Sequence, residues 1–146
     1  MNDQVTYTHR LVLPADTNHH HTLYAGSLLR IALEAAYATS FRTVGNGANL
    51  LLRRVLSLEC YRPVPVGSMV EICGAALHLT RAYLVVGLIG SPLEEHTGPW
   101  MDGLMGFVQV DFDGQPAPFP EEMTNPIANG DWQPLRERME KLLRVR

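Results

Sequence analysis

The stretch NHHHTLYAGSLLRIALEAAY, residues 18–37, sets three consecutive histidines and one carboxylate, groups that could do chemistry, in and ahead of a mostly apolar segment. Asn18 precedes three consecutive histidines, His19, His20 and His21. A small pair, Ala25-Gly26, follows Tyr24, and the apolar run beyond it is broken only by Arg30 and Glu34. If a helix begins at this small pair, its leading N–H groups lack intrahelical partners and its dipole favours negative charge there. Glycine, having no Cβ, lets a carbonyl approach the backbone closely. Glu34 then has two readings. It is the working carboxylate of a site built where the segment begins, or it pairs with Arg30 one turn earlier, the less favourable order for such a pair. Adjacent histidines do not converge readily on one ion, and no cluster of cysteines or acids stands near them at ligand spacing, so no metal site is expected. The histidines read as a polar turn, with one imidazole, such as that of His19, lining a pocket as the alternative. Asn18 either closes an Asx turn or orients a reacting group.

The elements that must position these groups follow from the pattern. Residues 5–13 alternate apolar and polar before Pro14 and suit a strand. Residues 14–22 form a polar loop, in which Asp16, Thr17 and Asn18 can all bond to nearby backbone. Ser27 is a plausible N-cap for a helix running to about Phe41. Its apolar residues go all the way round, which predicts a helix buried on every side. After VGNGAN the chain turns strand-rich over 50–62, 68–79, 81–90 and 100–112. From Pro116 to Asp131 the composition suggests a surface tail. The final WQPLRERMEKLLRVR predicts a short amphipathic helix on the outside with a solvated charged face. One strand, one helix and four strands give an α+β domain whose antiparallel sheet of about five strands wraps a central helix.

Composition narrows the class. The 146 residues, 46% hydrophobic and 18% charged, suit one globular domain over 1–146, with a core over about 5–115 and a peripheral tail over 116–146. A net charge of −3 gives no basic footprint for nucleic acid. The start MNDQVTYTHR lacks a signal-peptide pattern and no apolar run is long enough to span a bilayer, so a cytoplasmic protein with no membrane partner is expected. Cys60 and Cys73 fall in strand-like stretches and read as free buried thiols in a reducing compartment.

Three ordered blocks resemble one family. LPADTNHHHTLYAGSLLRIALEAA, CYRPVPVGSMVEI and WMDGLMGFVQVDFDG are similar to the helix, turn and strand motifs of the hot-dog fold acyl-CoA thioesterases, in particular the YciA-like acyl-CoA hydrolases. They run in the family's order over roughly residues 10–115. The resemblance implies a double hot-dog dimer with one continuous sheet, assembling further in that family into tetramers or hexamers. It implies hydrolysis of an acyl-CoA to a carboxylic acid and free CoA, with coenzyme A as part of the substrate and no other cofactor. Gly26 and Ala25 match the small pair that binds the thioester carbonyl, Asn18 matches the loop asparagine, and Asp102 matches the acidic position of the third block. That position is expected to face the central helix or the subunit interface. Tyr24 and His19 stand beside the pocket, and Arg62, like Arg53 and Arg54, is a candidate for the CoA phosphates. One departure stands out. Without gaps the family's catalytic acid falls on Leu33, and Glu34 is one position later, about 100° round a helix. Either Gly26 acts as the first of the pair and Glu34 regains the spacing, or the acid is lost. In the second case the protein binds an acyl thioester as a non-catalytic oligomer. A hot-dog hydratase or dehydratase using a histidine is the third reading.

Overall fold

The computed structural model describes residues 4–93, 98–120, 126 and 130–144. Five antiparallel strands, β1 (Val5–Leu11), β2 (Leu50–Cys60), β3 (Met69–Leu79), β4 (Tyr83–Pro92) and β5 (Met101–Gln109), form one sheet in the order β1-β3-β4-β5-β2. Helix α1 (Ala25–Val44) joins β1 to β2, which lie at opposite edges, so it must cross the whole sheet. Helix α2 (Gln133–Arg144) packs on the other face. This is the α+β hot-dog arrangement, a sheet rolled round a central helix.

The central strands are apolar on both faces because both faces are covered. Ile72, Ala76, Leu84, Val86, Leu88 and Met105 pack with Leu28, Ile31, Ala32 and Ala36 of α1. Ala75, Leu77, Val85 and Leu104 pack instead with Trp132, Leu135 and Met139. The α1 side that meets the sheet is small, which brings helix and strands close. At Gly74 a methyl group would overlap Thr39 Oγ1, so a glycine holds that contact. Thr39, Ser40 and Thr43 are buried without loss, since each hydroxyl donates to the carbonyl four residues earlier at 2.8 Å. On the opposite face Gly106 makes room for the Tyr83 hydroxyl, and the Tyr83 ring carries the Arg53 guanidinium 5.4 Å from its centroid.

Several expectations need correcting. The central helix is not buried all round: Ala25, Gly26, Leu29, Arg30, Glu34, Ala38 and Phe41 form an exposed stripe. Its N-cap is Tyr24 rather than Ser27, which is buried in the first turn. The reason is tethering: the Tyr24 N–H donates to the Asp16 carbonyl at 2.8 Å and the Leu28 N–H to the Tyr24 carbonyl at 2.9 Å, so the helix starts earlier. Cys60 is exposed rather than buried, while Cys73 is half-buried; both are free. The Pro116–Asp131 stretch lies largely outside the described residues. No helix among the described residues is long and apolar enough to cross a membrane.

The charges of α2 do not form a simply solvated face either. Arg138 Nη1 donates to Asp102 Oδ1 at 2.7 Å and to Ser57 Oγ at 3.0 Å, and its Nη2 reaches Asp102 Oδ2 at 3.2 Å. Tyr61 Oη donates to Asp102 Oδ2 at 2.7 Å. Burial, then the bond to Asp102, raises the Tyr61 pKa above the ordinary tyrosine value. This bidentate pair ties α2 to β5 and to the end of β2, a geometry that only arginine supplies.

Two predictions follow from this packing. Arg138→Ala leaves the Asp102 carboxylate half its partners and is expected to lower stability by about 1–3 kcal/mol, read as a lower urea midpoint; an unchanged midpoint contradicts the clamp. Burial, then its bond to the Glu71 carboxylate, pushes the Cys73 thiol up to about 12. Titration with a disulfide reagent at pH 8 is therefore expected to find one fast thiol, Cys60, and a second only after unfolding, because the thiolate is the reacting form. Two equally fast thiols would show that Cys73 is not shielded.

Candidate functional site

The segment before α1 is fastened on both sides. The Leu23 N–H donates to the Val64 carbonyl at 2.8 Å, and the Val66 N–H to the His21 carbonyl at 2.9 Å, so residues 21–24 run beside the 62–66 loop. A bridge pairs Thr22 with Pro65. The turn that feeds this segment is built by Asn18: its Oδ1 accepts from the His20 N–H at 2.9 Å, the Thr22 N–H at 3.3 Å and the Thr22 hydroxyl at 3.2 Å. His21 takes a left-handed backbone, φ 60°, to close it. The Asn18 oxygen is thus committed to an Asx turn, while its Nδ2 makes no hydrogen bond among the described residues and remains a free donor.

The α1 amino terminus itself is uncapped. No side chain bonds to its first amides, and Ala25 and Gly26, the first two helical residues, are exposed. These N–H groups and the helix dipole make a ready anion or carbonyl-oxygen site. Tyr24 folds over it: a Cβ on Gly26 would sit 2.5 Å from Tyr24 Cε2. The space that glycine opens is therefore taken by the exposed Tyr24 ring, which must swing aside for any group to reach Gly26 from that direction. His19 and His20 are exposed on the same loop, with their ring centroids 3.9 Å apart.

Two turns down the helix, Glu34 is exposed and shared between two arginines: Oε2 lies 3.5 Å from Arg10 Nη1 and Oε1 lies 3.7 Å from Arg30 Nη1. Arg30 continues the chain of charge, its Nη2 donating to Asp16 Oδ1 at 3.2 Å. Asp16 is buried, and its other oxygen accepts the Leu13 N–H at 3.0 Å. The run Asp16–Arg30–Glu34–Arg10 fixes the helix start against β1. Leu33, by contrast, is half-buried and packs on the α1 core cluster.

The structure places Tyr24, Ala25 and Gly26 at the helix start, and Asn18 and His19 in the turn that feeds the segment leading to it. It places Glu34 farther along the same exposed stripe. Arg62 stands on the neighbouring loop, donating to the Gly98 carbonyl and lining a cavity of about 360 Å³ with Trp100. Asp102 is brought elsewhere. Alternation on β5 sends Met101 and Met105 towards α1 and Asp102, like Leu104, towards α2, where it holds Arg138. Its expected position against the central helix is thus corrected. Sequence reasoning missed Asp16 as a buried carboxylate and Arg138 as the partner of Asp102. A buried acid in a loop of polar neighbours carries no pattern that marks it, and Arg138 looks like one more surface charge. Among the described residues no cluster of three histidines, cysteines or acids could hold a metal ion.

No family model matches the chain, and no curated protein matches it. Solved structures do. An apo-hexameric acyl-CoA thioesterase shares 25% identity over 99% of this chain and 96% of its own, with a TM-score of 0.79. An acyl-CoA hydrolase from Staphylococcus aureus, in complex with butyryl coenzyme A, coenzyme A and coenzyme A disulfide, shares 24% identity over 98% of this chain and 87% of its own, TM-score 0.77. An acyl-CoA hydrolase from Bacillus cereus is 18% identical over 98% and 85%, TM-score 0.75. The likeness covers 98–99% of the chain, and the chain is a hot-dog fold protein whose structural neighbours are acyl-CoA thioesterases and hydrolases.

Proposed function

We propose that the protein hydrolyses the thioester of an acyl-CoA, releasing a carboxylic acid and free CoA. The observation that carries this reading is the open, uncapped start of α1, presented by a fold whose neighbours include an acyl-CoA hydrolase with butyryl coenzyme A. The thioester carbonyl oxygen accepts from the Gly26 N–H and its neighbour, which stabilise the oxyanion as it develops. Asn18 Nδ2 is the further donor available beside them. Glu34 takes a proton from water; the water oxygen bonds to the carbonyl carbon, the C–S bond breaks, and the CoA thiolate leaves and is protonated. Ala25, Tyr24, His19 and Arg62 border the path of the substrate.

Helical geometry sets a condition on this mechanism. Eight residues separate Gly26 from Glu34, about 12 Å along the axis and about 80° round it. That is too far for Glu34 to serve a carbonyl at its own helix end. In this reading it serves the helix end of a second copy, so a dimer is part of the active site. The exposed Tyr24, Leu29 and Phe41 of the helix, with Leu51 and Val55 of the free β2 edge, are the apolar surface such a dimer would cover. Higher assembly is consistent with the hexameric state of one neighbour.

A second reading has its own observation. Leu33 lies seven residues from Gly26, within about 20° of the same helix face, and it is apolar where an acid would be best aligned. Binding of an acyl thioester without hydrolysis follows if Glu34 is held by Arg10 and Arg30 alone. A hydratase would want a histidine paired with an acid, and His19, His20 and His21 have no carboxylate partner among the described residues.

Thiol release from acyl-CoAs of several chain lengths separates these readings. Glu34→Gln is expected to lower turnover by about 10²–10⁴ while CoA binding is kept. Asp102→Asn, whose partner is α2, is expected to retain turnover per folded molecule. Equal rates in Glu34→Gln and wild type would remove Glu34 as the base. CoA binding with no thiol release from any substrate would establish the non-catalytic reading.

A further inference from the structure

Two residues that follow one another on a strand ordinarily point to opposite faces of the sheet. Arg53 and Arg54 do not. The β2–β5 register slips between Leu52 and Arg54, so that Leu52 stands opposite Phe107 and Arg54 opposite Gly106, with Arg53 the extra residue. Residues directly opposite each other share a face. On β5, Met105 and Phe107 pack towards α1 and Leu104 towards α2, so Gly106 faces the α2 side, and Arg54 with it. Arg53 faces that side too, because its guanidinium lies over the Tyr83 ring, which packs against the α2 cluster. The bulge therefore turns both side chains the same way.

They meet in a recess. Arg53, Arg54, Tyr83 and Leu143 line a cavity of about 260 Å³ beside the last turn of α2. Among the described residues neither arginine has a carboxylate partner; Asp102 is held by Arg138, and Glu140 by Arg136. Lys141 and Arg144 offset the negative end of the α2 dipole nearby. Two positive charges are thus set side by side in a chain whose net charge is −3. Like charges repel, and an anion between them reverses the sign of that interaction. Bulges that re-aim side chains in this way are over-represented beside functional sites.

We propose that this recess is a second ligand site, one that binds the phosphate of a small phosphate monoester. Each guanidinium offers a planar fork of N–H donors that matches a pair of phosphate oxygens. Two guanidiniums balance a group that carries about −1.5 to −2 at pH 7, a charge no single carboxylate has. Stacking on Tyr83 holds the Arg53 fork in place, and Leu143 gives the organic part of the ester an apolar wall. The cavity is smaller than the about 300–1,000 Å³ usual for drug-sized ligands, so the ester is compact. Helix α1 covers the other face of the sheet, so this site is separate from the uncapped helix end and does not depend on the thioesterase reading.

Calorimetric titration of the whole chain with phenyl phosphate tests this, with benzoate as the singly charged control. Saturable binding is expected, about tenfold or more tighter than that of benzoate. Arg53→Gln and Arg54→Gln are each expected to weaken it about 10- to 100-fold, the range for hydrogen bonds to a charged group. Arg54→Lys, which keeps the charge and loses the fork, is expected to fall between wild type and Arg54→Gln. Absence of saturable binding overturns the proposal, and so does benzoate bound equally well or an affinity unchanged in both glutamine variants. If those variants fail to fold, the wild-type comparison of phenyl phosphate with benzoate still decides. Coenzyme A also carries a phosphate monoester, on its ribose. Displacement of phenyl phosphate by coenzyme A but not by dephospho-coenzyme A would put the two arginines on the path of the proposed substrate and overturn a separate site. Binding of phenyl phosphate undiminished by coenzyme A supports one.

Discussion

An α-helix cannot satisfy its own first amides, and the rest of this molecule is arranged around leaving those of α1 open. The segment entering the helix is pinned by backbone bonds to Asp16, Val64 and Val66, yet no side chain caps Ala25 or Gly26. A capping serine, threonine or aspartate would ordinarily stabilise such an end by about 1 kcal/mol. The chain places Tyr24 there instead, whose side chain makes no capping bond and lies over Gly26. The helix is held in place by a face that packs closely on β3 and β4, with the partly exposed Asp16–Arg30–Glu34–Arg10 ion pairs adding little.

Because β1 and β2 occupy opposite edges, α1 has only one route, across the inner face of the sheet. That route leaves the helix a side turned away from the strands, and this side carries both the reactive candidates and the exposed leucine and phenylalanine. Candidate reactive groups and exposed apolar side chains thus share one surface. The β2 edge, with two register irregularities, and the exposed helix stripe are not covered by the described residues of this chain.

Most of the fold was legible from the residues. Alternation in 5–11, the apolar runs of β3, β4 and β5 and the alanine-rich helix each declare a period, and periodicity is what packing against a sheet imposes. The helix boundary was read late because Ser27 has the chemistry of a cap, whereas the actual start is decided by Asp16 and Val64, distant contacts that no local pattern announces. Burial of the helix on all sides was overread: apolar composition predicts that a surface is covered, not that its own chain covers it. At the site, the helix end and its small pair were visible as motifs. The bonding of Asn18 was visible as one of two options. The direction of Asp102 was not, since a strand residue faces one side or the other according to register, and the register depends on bulges at Leu52/Arg54 and Val55/Ser57 in the neighbouring strand.

The glycines of the sheet have a consequence for how such a chain can change. Gly74 is filled by Thr39, Gly90 by Met101 with Trp100, and Gly106 by Tyr83, each slot on a strand occupied by side chains from elsewhere in the fold. Neither member of a pair can enlarge alone without displacing the other. Divergence at these positions must therefore proceed through concerted exchanges, with the plug shrinking before the slot gains a methyl, and the sheet retains its shape while most of its residues are replaced.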